Sequence, residues 1–167
     1  MAEPDNLLEI WRDDLVSFLL GCSFSFETAL IAAGIKIKHI DLGLGCPVYS
    51  TNIACRPAGV FQGNMAVSMR AIPKKMVMKA IQITSRYPSV HGAPVHVGDP
   101  EEIGIRDLGK PDFGDPVPFA PDEVPVFWAC GVTPQLVAMK TKPEIMITHY
   151  PSHMYVSDLL NEELAAL

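Results

Sequence analysis

The chain has 167 residues, a formal net charge of -6 at pH 7, 49% hydrophobic residues and 19% charged residues. This length and composition are enough for a buried core, which excludes an intrinsically disordered chain and favours one ordinary domain. Because the chain is negatively charged and has no Lys/Arg cluster, nucleic acid is not an expected partner. The apolar stretch at residues 15–22 is too short to span a membrane, so no membrane association is expected.

Two helices are predicted at the start of the chain. Asp5 can cap the first, because apolar residues follow it at helical spacing as far as Gly21. Ser23 or Ser25 can start the second, and Gly34 is its expected C-terminal stop. The inward-facing residues of the second helix are predicted to be Phe26, Leu30 and Ile31. Together the two segments predict a helical hairpin.

Residues 35–72 are predicted to form a small β-rich lobe with antiparallel strands. Three short β-like runs lie in this part of the chain, at residues 36–40, 48–53 and 60–70. Glycine and proline residues separate the runs, and this punctuation is typical of turns between short strands.

Residues 73–167 are predicted to form a βαβ-type portion. A helix begins at Pro73 and ends before Pro88. Three apolar runs follow, at residues 93–97, 124–130 and 144–149. The last two runs are apolar on both faces, which indicates buried strands of a parallel sheet covered by helices. The predicted fold class is therefore α/β, a mainly parallel sheet with flanking helices plus the small antiparallel lobe, in a single domain over residues 1–167.

The sharpest local feature is the strand-to-helix turn that contains Gly131. Thr133 is predicted to cap the following helix, whose free backbone N–H groups favour a carboxylate or phosphate. Gly131, Thr133 and Gln135 are therefore predicted substrate-binding residues, and Cys130 lies at the edge of the turn. In the alternative interpretation, Gly131 only makes the turn and Cys130 is a small buried apolar residue.

Asp99 is predicted to cap a similar helix start, in the run Gly98-Asp99-Pro100. Capping alone explains this residue. At the carboxyl end of a parallel strand, however, its carboxylate could also act as a base or orient one.

Four histidines in the second half of the chain are candidates for acid–base chemistry. They are His91, His96, His149 and His153. Histidine titrates near neutral pH, and a strand-end position can bring His149 close to Cys130 or Asp99. A structural histidine with satisfied hydrogen bonds is an equal alternative for any one of them.

Arg56 is the predicted partner for a substrate carboxylate, because a guanidinium offers a fork of donors, and Asn52 lies close by in the sequence. A surface ion pair explains Arg56 equally well.

Several common site signatures are missing from the sequence. There is no GxGxxG motif, Walker loop or GxSxG motif, so nucleotide binding and an esterase elbow are not indicated. There is no HExxH motif or Cys/His finger spacing, so no metal is expected. The four cysteines form no CxxC pair, which indicates reduced thiols in an intracellular protein, although disulfides are not excluded.

Several longer segments of the sequence together resemble the D-glutamate cyclase family. The segments are residues 11–27, which begin with Trp-Arg-Asp-Asp, and residues 51–57, 82–86, 91–96, 111–115 and 126–135. The resemblance runs from about Trp11 to Asp158, nearly the whole chain. Family members carry a further segment upstream of the Trp-Arg-Asp-Asp motif, so a short form or fragment lacking it is expected here.

The resemblance implies a lyase that interconverts D-glutamate and 5-oxo-D-proline plus water, on an α/β fold with a smaller lobe. It implies a small amino-acid substrate and no cofactor, and self-association into a homo-oligomer is compatible with it. The expected location is the mitochondrial matrix for an animal protein and the cytoplasm for a bacterial one. Animal members also append a C-terminal domain.

As a hypothesis, one carboxylate of D-glutamate pairs with Arg56 or with the helix start at Thr133. His149 or Asp99 removes a proton from the ammonium, and His96 or His91 protonates the departing oxygen. N–H groups near Gly131 then stabilise the tetrahedral oxyanion.

Two other classes of function remain open. One is a non-catalytic binding domain for a small acidic metabolite or a protein partner. The other is a cysteine-dependent hydrolase or amidotransferase with Cys130 as the nucleophile.

Overall fold

A four-stranded antiparallel β-sheet is the centre of the computed structural model, which describes residues 3–150 and 153–166. The strands are β1 (Val48–Ala54), β2 (Asn64–Pro73), β3 (His96–Val97) and β4 (Glu123–Ala129). Their order across the sheet is β1-β2-β4-β3, and each neighbouring pair is antiparallel. In the central pair, Ser68 lies opposite Trp128 and Arg70 lies opposite Val126.

The helices of the described chain are short. They are α1 (Phe24–Ala32), α2 (Lys38–Asp41), α3 (Val77–Thr84) and α4 (Thr133–Thr141), with single 3-10 turns at Lys74–Met76, Pro88–Val90, Pro100–Ile103 and Asn161–Leu164. Within the described ranges, none of them has the length and apolar character needed to span a bilayer.

The prediction of a mainly parallel sheet with flanking helices is wrong. The run at 124–130 does form β4, but β4 is a central strand whose neighbours β2 and β3 both run antiparallel to it. It is apolar on both faces because a hydrophobic cluster covers each face of the sheet. Val126 and Trp128 pack in one cluster and Phe127 packs in the other. A run that is apolar on both faces indicates a strand buried on both sides, and burial alone does not determine the direction of the strand.

Two hydrophobic clusters lie on opposite faces of the sheet, because successive residues of a strand point to opposite sides. The first cluster joins the sheet to α1 and α3 through residues that include Phe26, Leu30, Ile72, Ala80 and Trp128. The second cluster includes Tyr49, Val67, Met69, Val117 and Phe127. Ser68 and Arg70 share the face of β2 that is covered by the first cluster.

The predicted first helix, from Asp5 to Gly21, is not present, and the helical hairpin is therefore wrong as well. Residues 3–22 have turns only, and Phe18 and Leu19 are 78% and 82% exposed. Helix stability in proteins comes mainly from packing an apolar face, and this segment packs its apolar residues against very little.

Two predicted strands are also wrong. Residues 36–40 enter α2 instead, and residues 144–149 form no strand. In the second case the alternation of half-buried Ile145 and Ile147 with exposed Met146 shows one-sided contact along an irregular segment.

The second predicted helix is confirmed as α1. Phe26 and Leu30 are fully buried, and Gly34 follows the helix with a left-handed φ of +82°. Ile31 is 48% exposed, so its inward assignment is wrong. The helix predicted after Pro73 is confirmed as α3, and the antiparallel pairing expected within 35–72 is the β1–β2 hairpin.

Candidate functional site

A buried polar cluster lies between α1 and the sheet, with Arg70 at its centre. Arg70 is in the middle of β2 and is only 2% exposed, although most of its strand neighbours are apolar. Ser68 lies two residues earlier on the same face and is also 2% exposed. Charged residues are rarely buried unless they are paired, so the contacts of Arg70 decide what the cluster can do.

Four hydrogen bonds fix the guanidinium. Nε and Nη2 donate to Oε1 of Glu27, at 3.0 and 2.6 Å. Nη2 also donates to Oγ of Ser23 at 2.9 Å, and Nη1 donates to Oγ of Ser68 at 2.6 Å. The two serine oxygens are themselves 3.3 Å apart.

The local structure explains why these groups meet. Ser23 immediately precedes α1 and Glu27 follows it by four residues, so both lie on one side of the helix. The Ser23 side chain makes no capping bond to the helix and instead accepts from Arg70. His39, on α2, reaches the same carboxylate, with 3.3 Å between its Nε2 and Oε1 of Glu27.

Two aromatic rings lie against the guanidinium. Cζ of Arg70 lies 5.6 Å from the ring centroid of Phe26 and 5.5 Å from that of Trp128. Both distances are within the range of cation–π attraction, which strengthens when the cation is desolvated. The rings therefore stabilise the charge of Arg70.

The electrostatics of the cluster favour the ionised pair. Burial alone would raise the pKa of Glu27, but the hydrogen bond from His39 and the charge of Arg70 outweigh burial and lower this pKa below its ordinary value. Burial opposes the charge on Arg70, yet the pKa of Arg70 is raised, with Cys46 and Glu27 the largest contributors.

Three thiols surround the cluster closely enough to interact with the charge of Arg70. Burial raises the pKa of Cys22 and of Cys130, and raises that of Cys46 to about 11. All three are therefore neutral thiols near pH 7, and a thiolate is the form that acts as a nucleophile.

A turn and a loop meet beside this cluster. A Cβ built on Gly131 would lie 3.7 Å from the carbonyl oxygen of Gly21, and a Cβ on Gly21 would overlap the Ser89 carbonyl. His91 follows in the same loop, with a left-handed φ of +84° that is uncommon outside glycine. Its Nε2 is buried and has no hydrogen-bond partner among the described residues.

The ring of His91 is held in its neutral form. Burial lowers the pKa of His91, the charge of Arg70 acts in the same direction, and the Gly21 carbonyl opposes both. A neutral imidazole whose buried nitrogen makes no hydrogen bond can accept or donate a proton, and acid–base catalysis requires such a group.

The structure brings one set of predicted site residues together at this place. His91, Cys130 and Gly131 lie around Gly21, and Thr133 follows in the first turn of α4. The Thr133 hydroxyl is already engaged, since it donates to the Cys130 carbonyl at 2.8 Å and accepts from the Ala66 amide at 3.0 Å. It does not cap α4, whose N-cap is Val132.

A second set lies around the 3-10 turn at Pro100–Ile103, which follows β3 and contacts β1. Nε2 of His96 donates to the Asp99 carbonyl at 2.6 Å, and the Asp99 carboxylate accepts from the Glu101 amide at 2.9 Å, which confirms the predicted cap. Asn52 donates to the Glu102 carbonyl at 3.4 Å. Beside them lies an open cavity of about 640 Å³ lined by Asn52, Glu101, Gly104 and Arg106.

The remaining candidates are separate from both sets. Arg56 is exposed, and so is His149, whose Nδ1 donates to the neighbouring Tyr150 carbonyl at 2.7 Å. Gln135 is half-buried in α4. Within the described residues, no group of three or more His, Cys, Asp or Glu side chains could hold a metal ion.

Comparison with known proteins identifies the family. The model of the D-glutamate cyclase family matches residues 16–158. The chain belongs to the D-glutamate cyclase family.

Curated relatives of this member of the D-glutamate cyclase family carry the name "Putative hydro-lyase". One from Thermoanaerobacter sp. (strain X514) is 63% identical over 98% of this chain and 62% of its own length. One from Stutzerimonas stutzeri (strain A1501) is 58% identical over 99% of this chain and 62% of its own length. One from Bacillus subtilis (strain 168), YcsI, is 58% identical over 99% of this chain and 64% of its own length.

The chain thus spans less than two thirds of the length of the curated relatives that it matches. These relatives are bacterial, and the mitochondrial alternative receives no support from them.

Sequence reasoning missed the most connected residues of the site. These are Glu27, His39, Ser68 and Arg70, together with the role of Ser23 as a hydrogen-bond acceptor for Arg70. A signal was present, because Arg70 interrupts the apolar run from Met65 to Ile72 and Ser68 precedes it at the two-residue spacing of one strand face. A charge inside a buried run requires a buried partner, and Glu27 in α1 is that partner.

The buried pair predicts a specific loss of stability in acid. The folded-state pKa of Glu27 lies below its ordinary value of 4.5, so its ionisation stabilises the fold above that value and the contribution is lost as pH falls through the folded-state pKa. We expect the urea midpoint to fall between about pH 6 and about pH 3. In Glu27→Gln the same pH change should produce a smaller fall, and an equal fall in both proteins would contradict the assignment.

Proposed function

We propose that this chain carries the hydro-lyase chemistry of its family, the interconversion of D-glutamate and 5-oxo-D-proline plus water. The observation that carries the proposal is the family match over residues 16–158, which includes the buried cluster and the His91 loop. The names of the curated relatives support a hydro-lyase, which is the coarser form of the same proposal.

The reaction requires positioning and proton transfer. The amine nitrogen of D-glutamate attacks its own γ-carboxyl carbon, a C–N bond forms, and a C–O bond breaks. The ammonium loses two protons overall, and the departing oxygen takes them up and leaves as water. No electrons are exchanged, so the balance needs no redox cofactor. Holding the substrate in a folded conformation supplies a large part of the acceleration.

His91 is the proposed proton-transfer residue. Three observations support this choice over the other predicted histidines. Its Nε2 is buried without a partner among the described residues, its ring is held neutral, and its backbone has a left-handed φ of +84°. Strained backbone and unpaired buried polar atoms both occur preferentially at functional sites. His96, Asp99 and His149 remain alternative predictions for the same role.

The assay is proton NMR of the purified chain with D-glutamate, L-glutamate or 5-oxo-D-proline, followed against a protein-free control. Bacillus subtilis YcsI serves as the full-length comparison, because this chain spans 64% of that relative. Interconversion of only the D compounds would support the proposal. Turnover by YcsI but not by this chain would restrict the activity to the longer form, and turnover by neither would overturn the proposal.

Replacing His91 with glutamine is expected to lower turnover about 100-fold, because glutamine fills similar space but cannot exchange a proton. His153→Gln is the matched control, since it makes the same change at an exposed histidine to which the proposed mechanism gives no role. Initial rates by NMR decide the comparison. A His91→Gln rate equal to that of the control would remove His91 from the mechanism.

The cysteine nucleophile alternative receives no support from the site, because burial raises the pKa of Cys130. The non-catalytic binding domain is tested by the same assay when binding of D-glutamate is measured beside turnover. A cytoplasmic location and self-association stay predictions.

A further inference from the structure

We infer that Ser23, Ser68 and Arg70 form the subsite that binds one carboxylate of the substrate. The identity of that substrate as an amino acid rests on the proposed function, whereas the preference for a carboxylate rests on the geometry alone. This assignment replaces Arg56, which is exposed and shares no described contact with the cluster.

One N–H donor of Arg70 makes no hydrogen bond among the described residues. A guanidinium has five N–H groups. Nε uses its single hydrogen on Glu27, and Nη2 uses both of its hydrogens, on Glu27 and on Ser23. Nη1 has two hydrogens and one bond among the described residues, to Ser68. One Nη1–H of a buried cation therefore remains available.

One O–H donor of the two serine hydroxyls also makes no hydrogen bond among the described residues. Both oxygens accept from Arg70, so neither O–H hydrogen is directed at the guanidinium. The 3.3 Å separation of the two oxygens allows one hydroxyl to donate to the other. The remaining O–H has no acceptor among the described residues, although Ser23 and Ser68 are only 3% and 2% exposed. A buried O–H hydrogen that lacks an acceptor is uncommon.

The two spare donors belong to neighbouring groups. Nη1 of Arg70 and Oγ of Ser68 are 2.6 Å apart, and Ser23 is within 3.3 Å of Ser68. Two adjacent donors, one of them charged, match the two oxygens of a carboxylate. Among the acceptors of the cluster, Oε1 of Glu27 already faces both Arg70 and His39.

The surroundings suit a small anion. Arg70 balances Glu27, and the adjoining thiols of Cys22, Cys46 and Cys130 are neutral because burial raises their pKa values. No thiolate therefore repels a carboxylate. Gly21 and Cys22, the two residues before Ser23, are only half-buried. Gly21 also contacts the loop that carries His91.

The test is isothermal titration of the 167-residue chain with glutarate, a five-carbon dicarboxylate that lacks the amine and cannot cyclise. We expect wild-type protein to bind glutarate, and Ser23→Ala and Ser68→Ala each to bind it about tenfold more weakly. Ser23→Thr should recover most of the affinity, because it restores the hydroxyl. Ser85→Ala is the matched control, since that hydroxyl bonds to the Ile81 carbonyl on the exposed side of α3 and should leave affinity unchanged.

The outcomes separate this inference from the proposed function. Glutarate binding that depends on the serines, in a protein without turnover, would uphold the subsite and count against the cyclase activity of this chain. Turnover of D-glutamate with an unchanged KM in both serine variants would overturn the subsite and leave the activity standing. Absence of glutarate binding to folded wild-type protein, or equal binding by Ser68→Ala and Ser85→Ala, would also overturn it.

Discussion

Replacing Arg70 with methionine is expected to lower the free energy of unfolding by about 3–5 kcal/mol. Methionine is unbranched and apolar and keeps most of the packing against Phe26 and Trp128, so the loss of packing is small. The cost comes from Glu27, which is 5% exposed and loses both guanidinium hydrogen bonds. Ser23 and Ser68 lose their donor at the same time.

Urea denaturation followed by circular dichroism measures this effect. The informative companion is the double variant Arg70→Met with Glu27→Leu, which removes both charges. It should be less destabilised than the single variant, because no uncompensated buried charge is left. Arg86→Met is the matched control at an exposed arginine and should change stability by no more than about 0.5 kcal/mol. A single Arg70→Met variant with the wild-type midpoint would show that the pair does not act as described.

The elements that sequence reasoning predicted correctly are those with strong local signals. Helix α1 has a serine before it, apolar residues at helical spacing and Gly34 after it, and the structure uses Gly34 as a left-handed stop. Helix α3 follows Pro73 and ends at Thr84, before Pro88. In both cases the local preference and the packing agree, since Phe26 and Ala80 are fully buried.

The direction of the sheet could not be predicted from the same kind of signal. The run that became β4 is apolar on both faces, and that pattern fits a central strand of either sheet type. Direction was decided by the pairing of β4 with β2 along seven residues, a contact between residues fifty or more positions apart. The apolar spacing of residues 5–21 was misleading for a related reason, because periodicity predicts a helix only where a partner face exists.

The candidate site was only partly predictable. His91, Cys130 and Gly131 were predicted from their positions at turns and strand ends, and they do meet beside Gly21. Arg70 was not predicted, because it lies inside a strand and not at a turn or a strand end. What the sequence could not supply is the identity of the partner, since Glu27 lies 43 residues away and meets Arg70 only after α1 packs on the sheet.

Truncating Trp128 to alanine is expected to cost about 3–5 kcal/mol of stability. Trp128 is fully buried, and its ring centroid lies 5.5 Å from that of Phe26 and 5.5 Å from Cζ of Arg70. Its Nε1 also donates to Oγ1 of Thr84 at 3.1 Å, which ties β4 to α3. Alanine would leave a cavity where the sheet, α1, α3 and the guanidinium of Arg70 meet.

Two variants make the measurement specific. Trp128→Phe keeps an aromatic face for Arg70 and loses the bond to Thr84, so its cost should be clearly smaller than that of Trp128→Ala. Trp11→Ala makes the same truncation at a residue that is 55% exposed, and its urea midpoint should stay near the wild-type value. If Trp128→Ala and Trp11→Ala had equal midpoints, Trp128 could not be the packing centre of this face. A large loss in Trp128→Ala with a small loss in Trp128→Phe would instead place the stabilisation in the aromatic surface that faces Phe26 and Arg70.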